Sequence, residues 1–326
     1  MFPRPDEQVF KARRFTAAVL AAFVFLAPTA CRRGSSPKAK VVVRLMTGTP
    51  GGGFYPLGAA LAAAYGGSIP ALSIDHRESA GSISNVTALQ RGQADISLAY
   101  ADVAYLAFIG GLEGQKGRFD HLRGIAVLQL APIHLVVGAR SGIRDAAGLR
   151  GRRIGVGTMG SGTALTAGLI LRAFGIEPSS VHTERLRYDA AAARLAAGDL
   201  DAMFVSGGDP VDAVRMATSV GARVLPLSGP PIDRLRHEYP FFHLALVRRG
   251  SYPGQNEAIR TIGIENLLIC RDSLPEQIVH DLTGRLFDVQ PSVSPLREMD
   301  LEHAPAVPIP LHEGAARFYR EREVFR

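Results

Sequence analysis

The stretch GIAVLQLAPIHLVVGAR, residues 124–140, is almost wholly apolar over seventeen positions. That is too long for one average strand of about 5–6 residues. Pro132 in its middle has no N–H to give to a sheet ladder. A second segment, TIGIENLLICRD (261–272), is overlong in the same way. The economical reading is that each passes from one lobe of the molecule to another, so that two crossings make a hinge beside a cleft. The alternative is one large continuous sheet.

Outward from these segments the pattern alternates. VVVRLMTG, LSIDHRES (72–79) and ADISLAYA (94–101) read as strands. YPLGAALAAAY, SISNVTALQRG (82–92) and DVAYLAFIG read as the helices after them. A second series begins with RRIGVGT (152–158) and SGTALTAGLILRAFG (161–175), where Leu165, Leu169 and Phe174 have core-facing spacing and Gly175 is a stop signal. PEQIVHDLTGRLFD (275–288) and EGAARFYRERE (313–323) are helical near the C-terminus. Strand–helix alternation predicts an α/β protein with parallel sheets covered on both faces.

Three strand-to-helix junctions are rich in glycine and hydroxyl residues: TGTPGGGFYP (47–56), SAGSISN (79–85) and TMGSGTAL (158–165). Glycine lets the backbone come close to a ligand, and a helix N-terminus offers unpaired N–H groups with a partial positive charge. Junctions at the C-terminal ends of strands should face one crevice. Each alone could be simple helix capping. No junction has the Lys of a phosphate loop, and the G-x-G-x-x-G of Gly155 to Gly160 runs through a predicted strand rather than after it. A carboxylate held by N–H groups and hydroxyls fits better than a nucleotide. A nucleophile elbow around Ser161 would need glycine where Met159 stands, and His134 and His243 lack the spacing of a base or metal pair. No catalytic residues, metal or cofactor are therefore expected.

The ends and the charge set the context. MFPRPDEQVFKARR is polar and basic, FTAAVLAAFVFLAPTA (15–30) is apolar, and small residues lead to Cys31. This is the plan of a secretory signal peptide over residues 1–30. The apolar run is sixteen residues long, short of the roughly 20 a spanning helix needs. Pro28-Thr29-Ala30-Cys31 resembles a bacterial lipoprotein cleavage site, with Cys31 lipidated and residues 31–40 a tether; Ala30 fits, while Pro28 stands where an aliphatic residue is usual. Localisation is then periplasmic or extracytoplasmic, with membrane contact through the lipid alone. Cys270 sits in an apolar run and reads as an inert buried thiol. Arg4, Lys11, Arg13 and Arg14 against Asp6 and Glu7 leave +2 in residues 1–30, hence +5 of the formal +7 on the remainder. These basic residues are scattered, with no stripe or interleaved aromatics to suit nucleic acid; a basic exported protein favours anionic ligands.

Taken in order, the motifs resemble the TAXI family, the solute receptors of tripartite TRAP transporters. TGTPGGGFYPLG is similar to that family's TG-x-x-GG-x-YYP-x-G opening. ESAGSISNVTALQRGQADISLAYADVAYLA, PIHLVVGARSGIRDAAGLRGRRIGVGTMGSGTALTA, GQNEAIRTIGIENLLICRDSLPEQIV and IPLHEGAARFYRE resemble its later segments, so the likeness spans 41–323. It implies a type II periplasmic-binding-protein fold: lobe I from 41–131 and 264–326, lobe II from 132–263. It implies a monomer that closes on a small organic acid, glutamate or a relative, and delivers it to an ion-driven permease. It places Thr47, Thr49, Gly52, Gly53 and Tyr55 on the first binding loop, Ser79, Gly81 and Ser82 on the second, and Ser161, Gly162 and Thr163 on the opposite lobe. Phe54 and Tyr100 stand where the family often has a small or polar residue and a glutamine, which points to a less polar or aromatic carboxylate. The same fold could instead serve a membrane histidine kinase as a sensor, or carry an enzyme.

Overall fold

The computed structural model describes residues 40–50, 52–293, 296–297 and 299–324. The expected signal peptide, Cys31 and nearly all of the expected tether lie outside the described residues.

The first half runs β1 (Val41–Met46), α1 (Phe54–Ser68), β2 (Leu72–Arg77), α2 (Ser82–Gln90), β3 (Ile96–Tyr100) and α3 (Ala101–Ile109). β1 lies between β2 and β3, parallel to both. α1 buries Phe54, Leu57, Gly58, Leu61 and Tyr65, one face at helical spacing. The chain continues through β4 (Leu122–Val137), β5 (Arg153–Gly155), α4 (Gly162–Ala173), β6 (His182–Glu184), α5 (Tyr188–Ala197), β7 (Ala202–Ser206), α6 (Asp212–Ser219), β8 (Arg223–Leu225), α7 (Pro230–Glu238) and β9 (Phe242–Val247). It ends with β10 (Ile259–Arg271), α8 (Glu276–Val289) and α9 (Glu313–Glu321). Here β5 lies between β6 and β7, again parallel to both.

β4 carries the architecture. It is one strand of sixteen residues, unbroken by Pro132. Up to Pro132 it pairs with β10, and from Ile133 onward it pairs with β7 and, further along, β8. The proline stands where the strand changes partners, so its missing N–H interrupts neither ladder, and its carbonyl accepts from the Gly207 N–H. β10 behaves alike, pairing with β3 and β4 over one length and with β9 over the other. The hydrogen-bonded order is β2-β1-β3-β10-β4-β7-β5-β6, with β8 on β4 and β9 on β10.

The sheets are mixed, which corrects the expectation of parallel sheets. β4 and β10 run antiparallel to each other and to their neighbours β7 and β3, because a chain that leaves a half by one strand must return by an opposed one. Residues 221–260, which no strand or helix signal above covers, hold β8, α7 and β9; Pro230 and Pro231 open α7, a proline start signal. The main core gathers β1, β3, β4 and β10 with the helices over them, and a smaller cluster sits beneath α5 and α6. Cys270 is fully buried in the main core.

The packing of α8 on α9 yields a stability test. A Cβ on Gly314 would stand 2.2 Å from the Glu276 carbonyl oxygen and 2.8 Å from the His280 nitrogen. Gly314→Ala should therefore lower the melting temperature, at a cost of about 1–3 kcal/mol for overpacking. Gly66→Ala in α1, where a Cβ meets nothing within 4 Å, should be neutral or raise it. Calorimetry of both variants checks the pair.

Candidate functional site

The C-terminal ends of β1 and β3 face those of β5 and β7 across a cleft. One wall is built by Asn85, whose side-chain amide donates to the Thr47 and Leu98 carbonyls, both at 2.7 Å. That ties α2 to the ends of β1 and β3. The Ser79 hydroxyl donates to the Thr47 carbonyl and accepts the Gly81 N–H. The Ser82 hydroxyl accepts the Tyr100 N–H. The second glycine turn is thus held rigid by its own side chains.

The two sides of the cleft touch. The Gly160 carbonyl accepts from the Ile83 and Ser84 N–H groups, at 3.0 and 3.2 Å. Thr158 Oγ1 donates to the Ala80 carbonyl and Tyr100 Oη to the Ser206 carbonyl. Arg187 Nη2 donates to the Pro50 carbonyl. The approach needs glycine: a Cβ on Gly81, at φ +121°, would lie 3.3 Å from Ser161 Cα, and one on Gly160, at φ +84°, would lie 2.4 Å from Ser84 Oγ. The Ile83 and Ser84 N–H groups in the first turn of α2 are therefore spent on a peptide carbonyl.

The α4 end differs. It has no side-chain cap, and among the described residues no carbonyl from outside the helix accepts from its first turn. Ser161, the N-cap, is 9% exposed, and its Oγ is buried with no partner. Ser206, at the end of β7, is 1% exposed; its Oγ makes no hydrogen bond of good geometry, and the Tyr100 and Tyr188 phenols lie beside it. Burying a hydroxyl without a hydrogen bond costs about 1–3 kcal/mol. Both serines line a cavity of about 50 Å³. Thr163 Oγ1 bonds Tyr188 Oη at 2.5 Å, and that phenol accepts the Ser206 N–H. Phe54 and Tyr100, ring centroids 4.8 Å apart, form an apolar wall with Leu186. Burial pushes the Tyr100 and Tyr188 phenols up from their ordinary value, so both stay neutral.

Ten of the sequence-predicted site residues come together here: Thr49, Gly52, Gly53 and Phe54 on the first loop, Gly81, Ser82 and Tyr100 on the second side, and Ser161, Gly162 and Thr163 opposite. Three do not. Thr47 is fully buried, its hydroxyl held between His76 Nε2 and the Arg77 carbonyl. Tyr55 lies against the His76 ring. Ser79 serves the turn as described. Sequence reasoning passed over Thr158, Leu186, Arg187, Tyr188 and Ser206, which also line the cavity. Arg187-Tyr188 opens α5 at a further strand-to-helix junction, and that junction was the available signal.

His134, His243 and His303 are not among the residues that line the cavity. His134 is fully buried on β4, with Nε2 2.9 Å from Tyr252 Oη, and burial lowers it to about 4. His243 and His303 both face Glu265, away from the cleft. Among the described residues no cluster could hold a metal and no helix is long and apolar enough to cross a membrane.

Comparison with known proteins follows this geometry. The sequence profile of the NMT1-like family matches residues 45–322. A solved structure described as a periplasmic transporter superposes with a TM-score of 0.53 at 13% identity, covering 87% of this chain and 93% of that one. A structure from Bordetella bronchiseptica RB50 gives 0.50 at 19% identity, covering 87% and 80%. The likeness is one of fold, a two-lobed α/β architecture of the periplasmic-binding-protein kind.

Asp102, fully buried in the first turn of α3, accepts from the Val103 N–H and from Thr166 Oγ1 on α4. Burial raises it from 3.8 to about 7. A raised acid holds its proton in the folded state over that interval, so its contribution to stability is present below pH ~4 and lost as pH rises through about 7. Asp102→Asn mimics the protonated form. It should match the wild type near pH 4 and exceed it at pH 8, by on the order of 1–3 kcal/mol. Denaturant melts across that range check this, and a difference independent of pH would contradict it.

Proposed function

The chain belongs to the NMT1-like family, and from that premise we propose that it is the extracytoplasmic solute receptor of a TRAP-type transporter of the TAXI kind. It captures a small organic anion in the cleft and presents it to an ion-driven permease. The observation that carries this reading is the pair of buried, unpartnered hydroxyls of Ser161 and Ser206 beside the uncapped end of α4. The ordered run of motifs from TGTPGGGFYP to IPLHEGAARFYRE supports the subtype.

On this reading lobe I comprises 41–131 and 264–326, lobe II comprises 132–263, and β4 and β10 pass between them. The anion accepts from the α4 first-turn N–H groups and from the two serines, which exchange a desolvation cost for charge-assisted hydrogen bonds. Arg187 at the mouth is shared between Glu78, Asp189 and the Pro50 carbonyl. Phe54, Tyr100 and Leu186 pack the organic part. Closure needs both lobes, because Gly160, Thr158, Tyr100 and Arg187 bond across the cleft. A ligand that contacts both sides shifts the open–closed balance, and the permease reads the closed form. The receptor acts as a monomer without chemistry of its own, exported by residues 1–30 and anchored through Cys31.

The chain contains no Trp, so calorimetry is the suitable reporter. Unfolding and refolding strips the protein of carried ligand. A panel of small organic acids at about 100 times Kd should then add about 2.7 kcal/mol of stability, a rise of several degrees. Ser161→Ala and Ser206→Ala should each bind the best acid roughly 10–100-fold more weakly, the loss expected for a hydrogen bond to a charged group. A panel in which no acid moves the melting temperature, or serine variants that bind as the wild type does, would remove the basis of this reading.

A further inference from the structure

Donors and acceptors are distributed unevenly in the cleft, and the imbalance narrows the ligand. Resting on the receptor reading, we propose that the cleft takes a small organic anion bearing no ammonium group, such as an oxo, hydroxy or plain carboxylate, and rejects α-amino acids, including the glutamate that the sequence resemblance favours.

Among the described residues the cavity lining contains no Asp or Glu, and its one formally charged side chain is Arg187. The nearby acids are committed elsewhere. Glu78 and Asp189 both face Arg187, at 3.7 and 3.4 Å. Asp102 lies buried in α3, outside the lining, and bonds Thr166. An ammonium group brings three donors and no acceptor. Several carbonyls beside the cavity already accept a hydrogen bond within the protein. Gly48 O accepts from the Ser79 N–H and Thr49 O from the Gly52 N–H. Pro50 O accepts from Arg187, Ala80 O from Thr158 and Ser206 O from Tyr100. Gly160 O takes two N–H groups.

What the cleft leaves free points the other way. The N-termini of α1 and α4 both border the cavity, and neither has a side-chain cap. Each contributes a partial positive charge that attracts anions and repels a cation. Among the described residues, Ser161 and Ser206 carry the buried side-chain oxygens of the lining that have no hydrogen bond. A bound amino acid would gain from these at its carboxylate and then bury an ammonium beside two helix N-termini, with no acidic side chain in the lining to pair it, which is costly. The Phe54–Tyr100 wall and Leu186 offer apolar contact that an inorganic anion cannot use. The half-open space of about 50 Å³ holds only a handful of water-sized groups.

The experiment uses wild-type protein, refolded as above, and isothermal titration with acids of matched carbon skeleton. These are pyruvate, lactate and alanine; 2-oxoisovalerate, 2-hydroxyisovalerate and valine; 2-oxoglutarate, 2-hydroxyglutarate and glutamate; and inorganic sulfate. The expected result is that within the best-binding skeleton the oxo or hydroxy acid binds at least ten-fold more tightly than the amino acid, and more tightly than sulfate. An amino acid binding as well as its oxo and hydroxy counterparts overturns this inference and leaves the receptor reading standing. Sulfate binding more tightly than every organic acid also overturns it. Failure of every compound to bind overturns the inference and the receptor reading together.

Discussion

The Gly160 carbonyl is the contact on which the site depends. It accepts from two consecutive N–H groups at the start of α2, and so one half of the molecule caps a helix that belongs to the other. A helix N-terminus left bare in a buried position is costly. Here that cost is met by peptide oxygen, and the capping geometry sets how closely the halves approach. It also decides which helix ends remain for a ligand. With α2 engaged, the anion seat proposed above is formed by α4, Ser161 and Ser206, and the α1 loop borders it.

This arrangement requires two rigid platforms joined by backbone that passes between them. β4 and β10 supply both needs. Each is buried along most of its length and serves two sets of neighbours. Each platform therefore has a core continuous with the connection, while loops at the strand ends carry the recognition groups. Asn85 fixes one platform by tying α2 to the ends of β1 and β3. On the other, Tyr188 links Thr163 of α4 to Ser206 of β7. The serine hydroxyls are held by neighbours that have no freedom to satisfy them, as expected where a ligand completes the hydrogen bonding.

Much of this was legible in the sequence, and the gaps have physical causes. The glycine junctions stand out because their chemistry is local: strand, tight turn and helix start lie within ten residues. The long segments around Pro132 and Gly263 stand out because no single ladder uses so many apolar residues. Strand direction was not legible, since an apolar run reads the same both ways; hence the mixed sheets. The resemblance places Thr47 and Tyr55 on the first binding loop, and only the packed structure shows that Thr47 turns inward to His76 and Tyr55 packs on the same ring. Arg187, Tyr188 and Ser206 lie far along the chain from the glycine loops, and only tertiary contact shows what they face. That Ser161 and Ser206 lack partners is likewise a property of the packed structure.

The central claim is that the α4 end, with Ser161 and Ser206, is where an anion is held. Amide hydrogen exchange, followed with and without a saturating amount of the tightest-binding organic acid, tests it most directly. The account predicts that the acid slows exchange in the first turn of α4, residues 162–165, and at the Ser206 amide, by a larger factor than anywhere in α6 or α8. Protection that appears elsewhere while residues 162–165 exchange unchanged would contradict it.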